Sequence, residues 1–476
     1  MTYKPLADKT NVEAILWSPA LPANKLTSAQ LNLYCSGSAS GNAIRETTYF
    51  PMRSEMLLCR GLPPISINRR NDHKTSRPKG LSMPSRTKKP AAQVSALQAG
   101  AVRPRPTPKH SQAHPGVSPL SAIGHRNTGF QPLPRPLGLA PYHYSLTDHF
   151  PTIGSNIQSA GKMVLHVLGD SGGVQDGEFQ SHVAEQMIEQ LSDSATSPQY
   201  CYHVGDVVYF TGLHDDYYAQ FYEPYAHYTS PILSIPGNHD GEVDDPSIQT
   251  SLDGWVDYFM QANPDVDPIS KDSPRVGLSL PNVYWTLLTP VATFVGLYTN
   301  VPEGGSIDSI QQQWVTNEFA TAPRDLPLIF ALHHPIYSFD VFHSGSSKMA
   351  DVLENAIRDT GRVPNLVLSG HVHDYQRIEQ NIAPDGPTPF IVCGNGGYHN
   401  LHAIHSAAGD VAPDTGAVLK YAQAKKWGFL TLTIDAQTIS GVSTEVDREG
   451  NASHEDTFSY PTAAVILGDP KSVPTL

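Results

Sequence analysis

The chain has 476 residues, a formal charge of −13 and 39% hydrophobic side chains. That length suffices for one large domain or two ordinary ones, and no apolar run approaches the roughly 18 residues of a membrane span. Residues 1–140 hold 19 Lys/Arg and 5 Asp/Glu, while the remainder holds 13 and 40, a formal charge of about −27; this disfavours nucleic acid as a partner of the acidic part, because a phosphate backbone needs compensating positive charge.

Residues 1–60 carry short apolar pieces such as AILWSPALP, none periodic enough to define an element, and are expected to be poorly structured. The first twenty residues lack a basic start followed by an apolar core. That favours a cytoplasmic location, with export open if the start site lies elsewhere. Residues 61–145 are basic and rich in Pro and Ser. Such a segment buries too little apolar surface to offset its ordering entropy and is expected to be disordered. Cys35, Cys59, Cys201 and Cys393 are too widely spaced for a metal knuckle or redox pair. Cys201 and Cys393, in apolar surroundings, are expected to be buried thiols.

A catalytic domain is expected over 146–460, followed by a tail at 461–476. KMVLHVLG (162–169) is a compact β-rich run. In HVAEQMIEQL (182–191), Val183, Met187, Ile188 and Leu191 share one helical face. Further strands are expected in YCYHVG (200–205), PILSIPG (231–237), VYWTLLTP (283–290), ATFVGLY (292–298), LPLIFALH (326–333), PNLVLSG (364–370) and PFIVCGNGG (389–397). Helices are expected over 309–319 and 348–359, and a late hairpin over 427–444. Strands alternating with helices indicate an α/β fold, and their number with the late hairpin suggests two packed sheets.

Chemistry collects after the strands. Asp170 follows the first in GDSG, Asp206 the second in GDVVY, and Asn238 and His239 the third in GNHD. His333 and His334 stand in HHP, and His371 and His373 in GHVH. Ligands of α/β folds gather outside the carboxyl ends of strands, and in four of the five motifs a glycine permits the tight turn. Two aspartates, an asparagine and three histidines form a mixed N/O donor set suited to Zn, Mn, Fe, Co or Ni. Six ligands exceed the three of a single catalytic zinc and suffice for two ions sharing a carboxylate. A pair about 3.5–4 Å apart clamps both oxygens of a phosphoryl transfer and supplies a hydroxide nucleophile near neutral pH.

The series GDSG, GDVVY, GNHD, HHP and GHVH, spread over about 160–445, resembles the calcineurin-like metallophosphoesterase superfamily and, within it, most resembles the purple acid phosphatase branch. The resemblance implies a four-layer α/β/β/α sandwich of two packed mixed sheets. It implies that Asp170, Tyr209 and His373 hold one metal, that Asn238, His333 and His371 hold the other, and that Asp206 bridges them. His333 is the ligand of HHP by its place two residues before the proline. His239 would act on the substrate as hydrogen-bond donor or general acid toward the leaving oxygen, and His343, ten residues after His333, would contact the phosphate. His214 is a further candidate for facing the cleft.

Tyr209 in that position implies Fe(III) paired with Zn, Mn or Fe(II); di-Mn and di-Zn are the alternatives. Departures from the branch are the absence of strands for a β domain before the catalytic one, and Gln376 where an acid is usual. The implied activity is metal-dependent hydrolysis of phosphate esters, foremost a phosphomonoesterase acting on a small phosphorylated substrate. A phosphodiesterase acting on nucleotides, cyclic nucleotides or lipid headgroups and a non-catalytic binding protein on the same fold are the alternatives. The sequence leaves the oligomeric state open and gives no membrane partner.

Overall fold

The computed structural model describes residues 128–476, apart from 175, 176, 194, 195, 385, 470–472 and 475, together with residues 6–7 and 13–14. Expectations for the rest of residues 1–127, including Cys35 and Cys59, lie outside the described residues. The chain divides into two units, Met1–Ser95 and Ala96–Leu476. In the first, β1 (Leu6–Ala7) pairs antiparallel with β2 (Glu13–Ala14).

The second unit is anchored from Gln131 onward. The Gln131 amide donates to Asn300 Oδ1 at 2.7 Å, and Gly138 N donates to Pro281 O at 2.8 Å. Then follow β3 (His143–Ser145), α1 (Pro151–Ala160), β4 (Lys162–Leu168), α2 (Gly177–Gln190), β5 (Tyr200–His203), β6 (Ile232–Ser234), β7 (Trp285–Leu288) and β8 (Thr293–Gly296). The chain continues through α3 (Ser309–Thr321), β9 (Leu328–Ala331), α4 (Ser347–Thr360), β10 (Arg362–Val363), β11 (Leu366–Ser369), β12 (Tyr375–Ala383) and β13 (Gly386–Cys393). It ends with β14 (Val418–Gln423), β15 (Trp427–Asp435), β16 (Thr438–Val446), β17 (Ala452–Pro461) and β18 (Val465–Ile466).

Two mixed sheets form the centre. The larger has eight strands in the order β14-β12-β13-β11-β9-β8-β7-β3, and the smaller six in the order β17-β16-β15-β4-β5-β6. β8, β9, β11 and β13 run parallel, as do β4, β5 and β6. Both sets are buried on both faces, which is why they read as continuous apolar runs. The sheets pack through aromatic side chains. Tyr202 on β5 stacks on Phe294 of β8 with centroids 5.4 Å apart, and Trp285 on β7 donates its indole N–H to Ser234 O at 3.1 Å. A buried indole needs such a partner.

Helices close the two outer faces. On the smaller sheet, Phe179 of α2 stacks on Trp427 of β15 at 3.6 Å. Of the expected apolar face of α2, Val183 and Met187 are buried, while Ile188 and Leu191 pack on the core's edge. On the larger sheet, α3 sets Phe319 against Phe330 of β9 at 5.3 Å. α4 buries Met349, Ala350, Val352, Leu353, Ala356 and Ile357, the i, i+3, i+4 spacing of a core-facing stripe. It begins at Ser346, whose Oγ accepts from Met349 N at 3.1 Å, and ends at Gly361 in the left-handed conformation. This is the α/β fold of two mixed sheets flanked by helices that the sequence indicates. Cys201 and Cys393 are buried free thiols.

Candidate metal centre

The two parallel sets end side by side. Gly169 N, just past β4, donates to Cys393 O at the end of β13 (2.7 Å), and Gly396 N donates back to Gly169 O (3.1 Å). The loops leaving β4, β5, β6, β9 and β11 therefore converge on one place. Three residues there take left-handed backbone: Asp170 (φ 56°), Asp206 (φ 56°) and His371 (φ 68°). Aspartate tolerates that region better than most residues, histidine at some cost. Each follows a glycine, and close approach explains one of them. A Cβ on Gly370 would lie 2.5 Å from Asp170 Oδ2.

The side chains form two adjoining groups. In the first, the Tyr209 hydroxyl donates to Asp170 Oδ1 at 3.1 Å and lies 3.2 Å from His373 Nε2, which is 3.6 Å from Asp170 Oδ1. In the second, Asn238 Oδ1 lies 3.1 Å from His333 Nε2 and 2.9 Å from His371 Nδ1. His333 Nε2 is also 3.4 Å from Asp206 Oδ2. Ligand atoms of Asp170, Asp206 and His333 all lie within 4.8 Å of one another, so the groups meet at the two carboxylates. His371 N donates to Asp170 Oδ2 at 2.8 Å and His239 N to Asp206 Oδ1 at 2.8 Å.

Backbone contacts orient the rings. His333 Nδ1 lies 2.9 Å from Val204 O and His373 Nδ1 lies 3.0 Å from Asn400 O. A carbonyl can only accept, so each Nδ1 carries a proton and Nε2 is the nitrogen each ring turns inward. Tyr209 is clamped by Gln220, whose Oε1 accepts from Tyr209 N (2.8 Å) and whose Nε2 donates to Tyr209 O (2.6 Å). Gln180 of α2 in turn donates to Gln220 O at 2.5 Å. Asp240 accepts from Val207 N (3.0 Å) and Gly237 N (2.8 Å), tying the loops after β5 and β6 together.

The buried charges strain one another. Burial pushes the Asp170 carboxyl well above the usual carboxylate range; Asp206 adds to this and His333 opposes it. Burial also acts to raise Asp206, but His333 and His239 hold it below that range. His333 is pushed up to about 9, because Asp206 outweighs the burial that disfavours its charge. Two carboxylates and a phenol packed this closely call for cationic charge.

Residues 163–375 match the family model described as calcineurin-like phosphoesterase. The chain carries a calcineurin-like phosphoesterase domain over these residues. No match was found among curated proteins. Among solved structures it is similar to GAP50, the anchor in the inner membrane complex of Plasmodium, at 15% identity and TM-score 0.43 over 63% of this chain and 89% of that one. It is also similar to PhoD (11%, 0.42, 65% and 72%) and to a dimetal phosphatase from Danio rerio (11%, 0.38, 63% and 99%).

The donors of this centre fit a pair of metal ions. They are mixed N and O, and two imidazoles have their Nε2 fixed inward. Asp170 and Asp206 place carboxylate between the groups. His371 Nε2 is a buried nitrogen without a hydrogen bond, 3.6 Å from Glu303 Oε1.

Other expected residues border the centre. His239 is partly exposed, with Nδ1 2.9 Å from Phe210 O and 3.5 Å from Glu242 Oε1. It is pushed up to about 9, since Asp206 and Glu242 outweigh burial. The His343 ring lies 4.8 Å from that of His371, with Nδ1 3.1 Å from Glu303 Oε1. His334 turns its Nδ1 to Thr299 Oγ1 (2.7 Å) and its ring to His371 (4.3 Å). His214 pairs instead with Asp267 at 2.7 Å and lies 3.9 Å from Asp257. The GNGGYHN segment borders the centre through Tyr398, whose ring lies 4.2 Å from Tyr209 and 4.5 Å from His373.

Sequence reasoning missed Glu303, Asp340, Gln220 and His402. The His402 ring lies 4.5 Å from His373. None sits in a motif; only the LHAIH run beside GNGG, rich in histidine, hinted at one of them. Among the described residues no helix is long and apolar enough to cross a membrane.

Proposed function

We propose that this protein is a binuclear metal-dependent phosphomonoesterase of the purple acid phosphatase type. The observation that carries the proposal is the meeting of the two donor groups at Asp170 and Asp206, with His333 and His373 each held by a backbone carbonyl so that Nε2 faces the carboxylates. In this reading Asp170, Tyr209 and His373 would hold one ion, Asn238, His333 and His371 would hold the second, and Asp206 would serve both.

Bound there, the pair supplies Lewis acidity toward phosphoryl oxygens and lowers the pKa of water. The protein's own groups do the rest. Phe210 O holds His239 Nδ1, leaving Nε2 for the substrate. With its acidity weakened by Asp206 and Glu242, His239 keeps a proton at neutral pH and delivers it to the leaving oxygen. Glu303 holds His343 Nδ1 at 3.1 Å, leaving Nε2 to bind a terminal phosphate oxygen. Tyr209 supports a trivalent ion, because a phenolate is a hard, anionic ligand.

The test is hydrolysis of p-nitrophenyl phosphate and bis-p-nitrophenyl phosphate by the purified protein, with metal analysis and a visible spectrum. The expected result is faster monoester turnover and a visible charge-transfer band with one iron per chain. Faster diester turnover would replace the monoesterase reading by a diesterase. A colourless, fully active di-zinc or di-manganese protein would reject the iron–tyrosinate type.

A further inference from the structure

The loop after the HHP motif and the loop after GNGG are stitched together above the metal centre. Val341 N donates to Ala403 O at 2.9 Å and His405 N donates to Phe339 O at 3.1 Å, and Asp340 and Ile404 form an antiparallel bridge. This short ribbon carries two imidazoles on one side. The rings of His343 and His402 lie 5.2 Å apart and 26° from parallel. His402 is buried, and its own amide donates to His373 O at 2.9 Å.

One carboxylate positions both rings. Asp340 Oδ1 accepts from Phe342 N and His343 N, each at 2.6 Å, which fixes the turn bearing His343. Asp340 Oδ2 lies 3.5 Å from His402 Nδ1. Both of those atoms are buried without a hydrogen-bond partner, so this pairing is the contact available to either. His343 is backed in the same way by Glu303. Two imidazoles, each with Nδ1 toward a carboxylate, thus stand side by side against His371 and His373. With Nδ1 turned to a carboxylate, each ring has Nε2 left to meet a phosphate oxygen.

We infer that His402, oriented by Asp340, is a second phosphate-binding imidazole of this site, and that with His343 it clamps two terminal oxygens of a phosphate monoester. The inference rests on the metallophosphoesterase reading above and specifies the substrate. A monoester offers three terminal oxygens, enough for the metal centre and both imidazoles; a diester offers two.

The test measures the Kd of inorganic phosphate for the metal-loaded protein by calorimetry, alongside KM and kcat for p-nitrophenyl phosphate. Wild type, His402→Ala and Asp340→Asn are compared, with metal content and Tm as controls. His402→Ala should raise the phosphate Kd and KM about tenfold, the size expected for loss of a hydrogen bond to a charged group, with kcat and metal content little changed. Asp340→Asn keeps an acceptor for Phe342 N and His343 N while removing the carboxylate from His402; it should shift Kd in the same direction by several-fold, and it decides the matter if His402→Ala loses metal or folds poorly. Unchanged phosphate Kd and KM in a well-folded, metal-replete variant would overturn the inference, as would absence of phosphate binding to wild type. Lack of turnover with any phosphoester would instead defeat the proposed function, while the phosphate Kd comparison still tests His402.

Discussion

Asp206 is the residue on which most of the site turns. It takes the His239 amide, faces His333 and lies against Gly237 so tightly that a Cβ there would collide with Oδ1. Replacing Asp206 by Ala should lower hydrolysis by more than about 100-fold and strip metal, since loss of even an outer partner of a metal ligand costs 10–100-fold; turnover and metal content check this. Gln220 touches only the backbone of Tyr209. Gln220→Leu should therefore weaken metal binding at the Asp170–Tyr209–His373 group by about 10-fold or more, read by competition with a chelator. At this scale the motif residues were legible because each directly follows a strand. Gln220, Glu303, Asp340 and His402 were not, because chain folding alone brings them to the centre from segments far apart in the chain.

The elements make their own claims. Ser346 caps α4, which packs on the larger sheet. Ser346→Ala should cost about 1 kcal/mol by denaturant unfolding. In the smaller sheet, Glu445 on β16 is buried, with Oε1 2.5 Å from Ser443 Oγ and Oε2 3.3 Å from Asn395 Nδ2. Burial pushes its carboxyl up to about 8. The folded state then holds a proton that the unfolded state releases from about pH 4.5, so this group's contribution falls as pH rises between about 4.5 and 8. Glu445→Gln should accordingly gain stability relative to wild type at pH 8 compared with pH 5, measured as paired Tm values.

Strands of uniform apolar character, such as β4, β9 and β11, were readable from sequence. β12 was not: it buries Gln376 and Gln380 among polar partners and follows His373 almost at once, so no apolar run marks it. β14 and β17 escaped for a related reason, since neither is a continuous apolar run: β14 is mostly half-buried, and β17 alternates buried Asp456, Phe458 and Tyr460 with exposed residues.

At the scale of the molecule, two sheets place their parallel strand ends together and so create one acidic, histidine-lined centre. The family and the two-sheet architecture were legible because five motifs recur in order, and the N-terminal strand β3 was not, because three residues carry no period. Metal that binds only the folded state adds stability by mass action, about 2.7 kcal/mol at a hundredfold excess over Kd. Chelation should therefore lower Tm, and restoring the ion should return it, in a calorimetric scan. The central claim is that hydrolysis depends on two ions held at Asp170, Asp206 and their neighbours. The most direct measurement is titration of metal-stripped protein with metal while monoester turnover and bound metal are followed together. Turnover that appears as the second equivalent binds is the expected result, and full turnover in the stripped protein would contradict it.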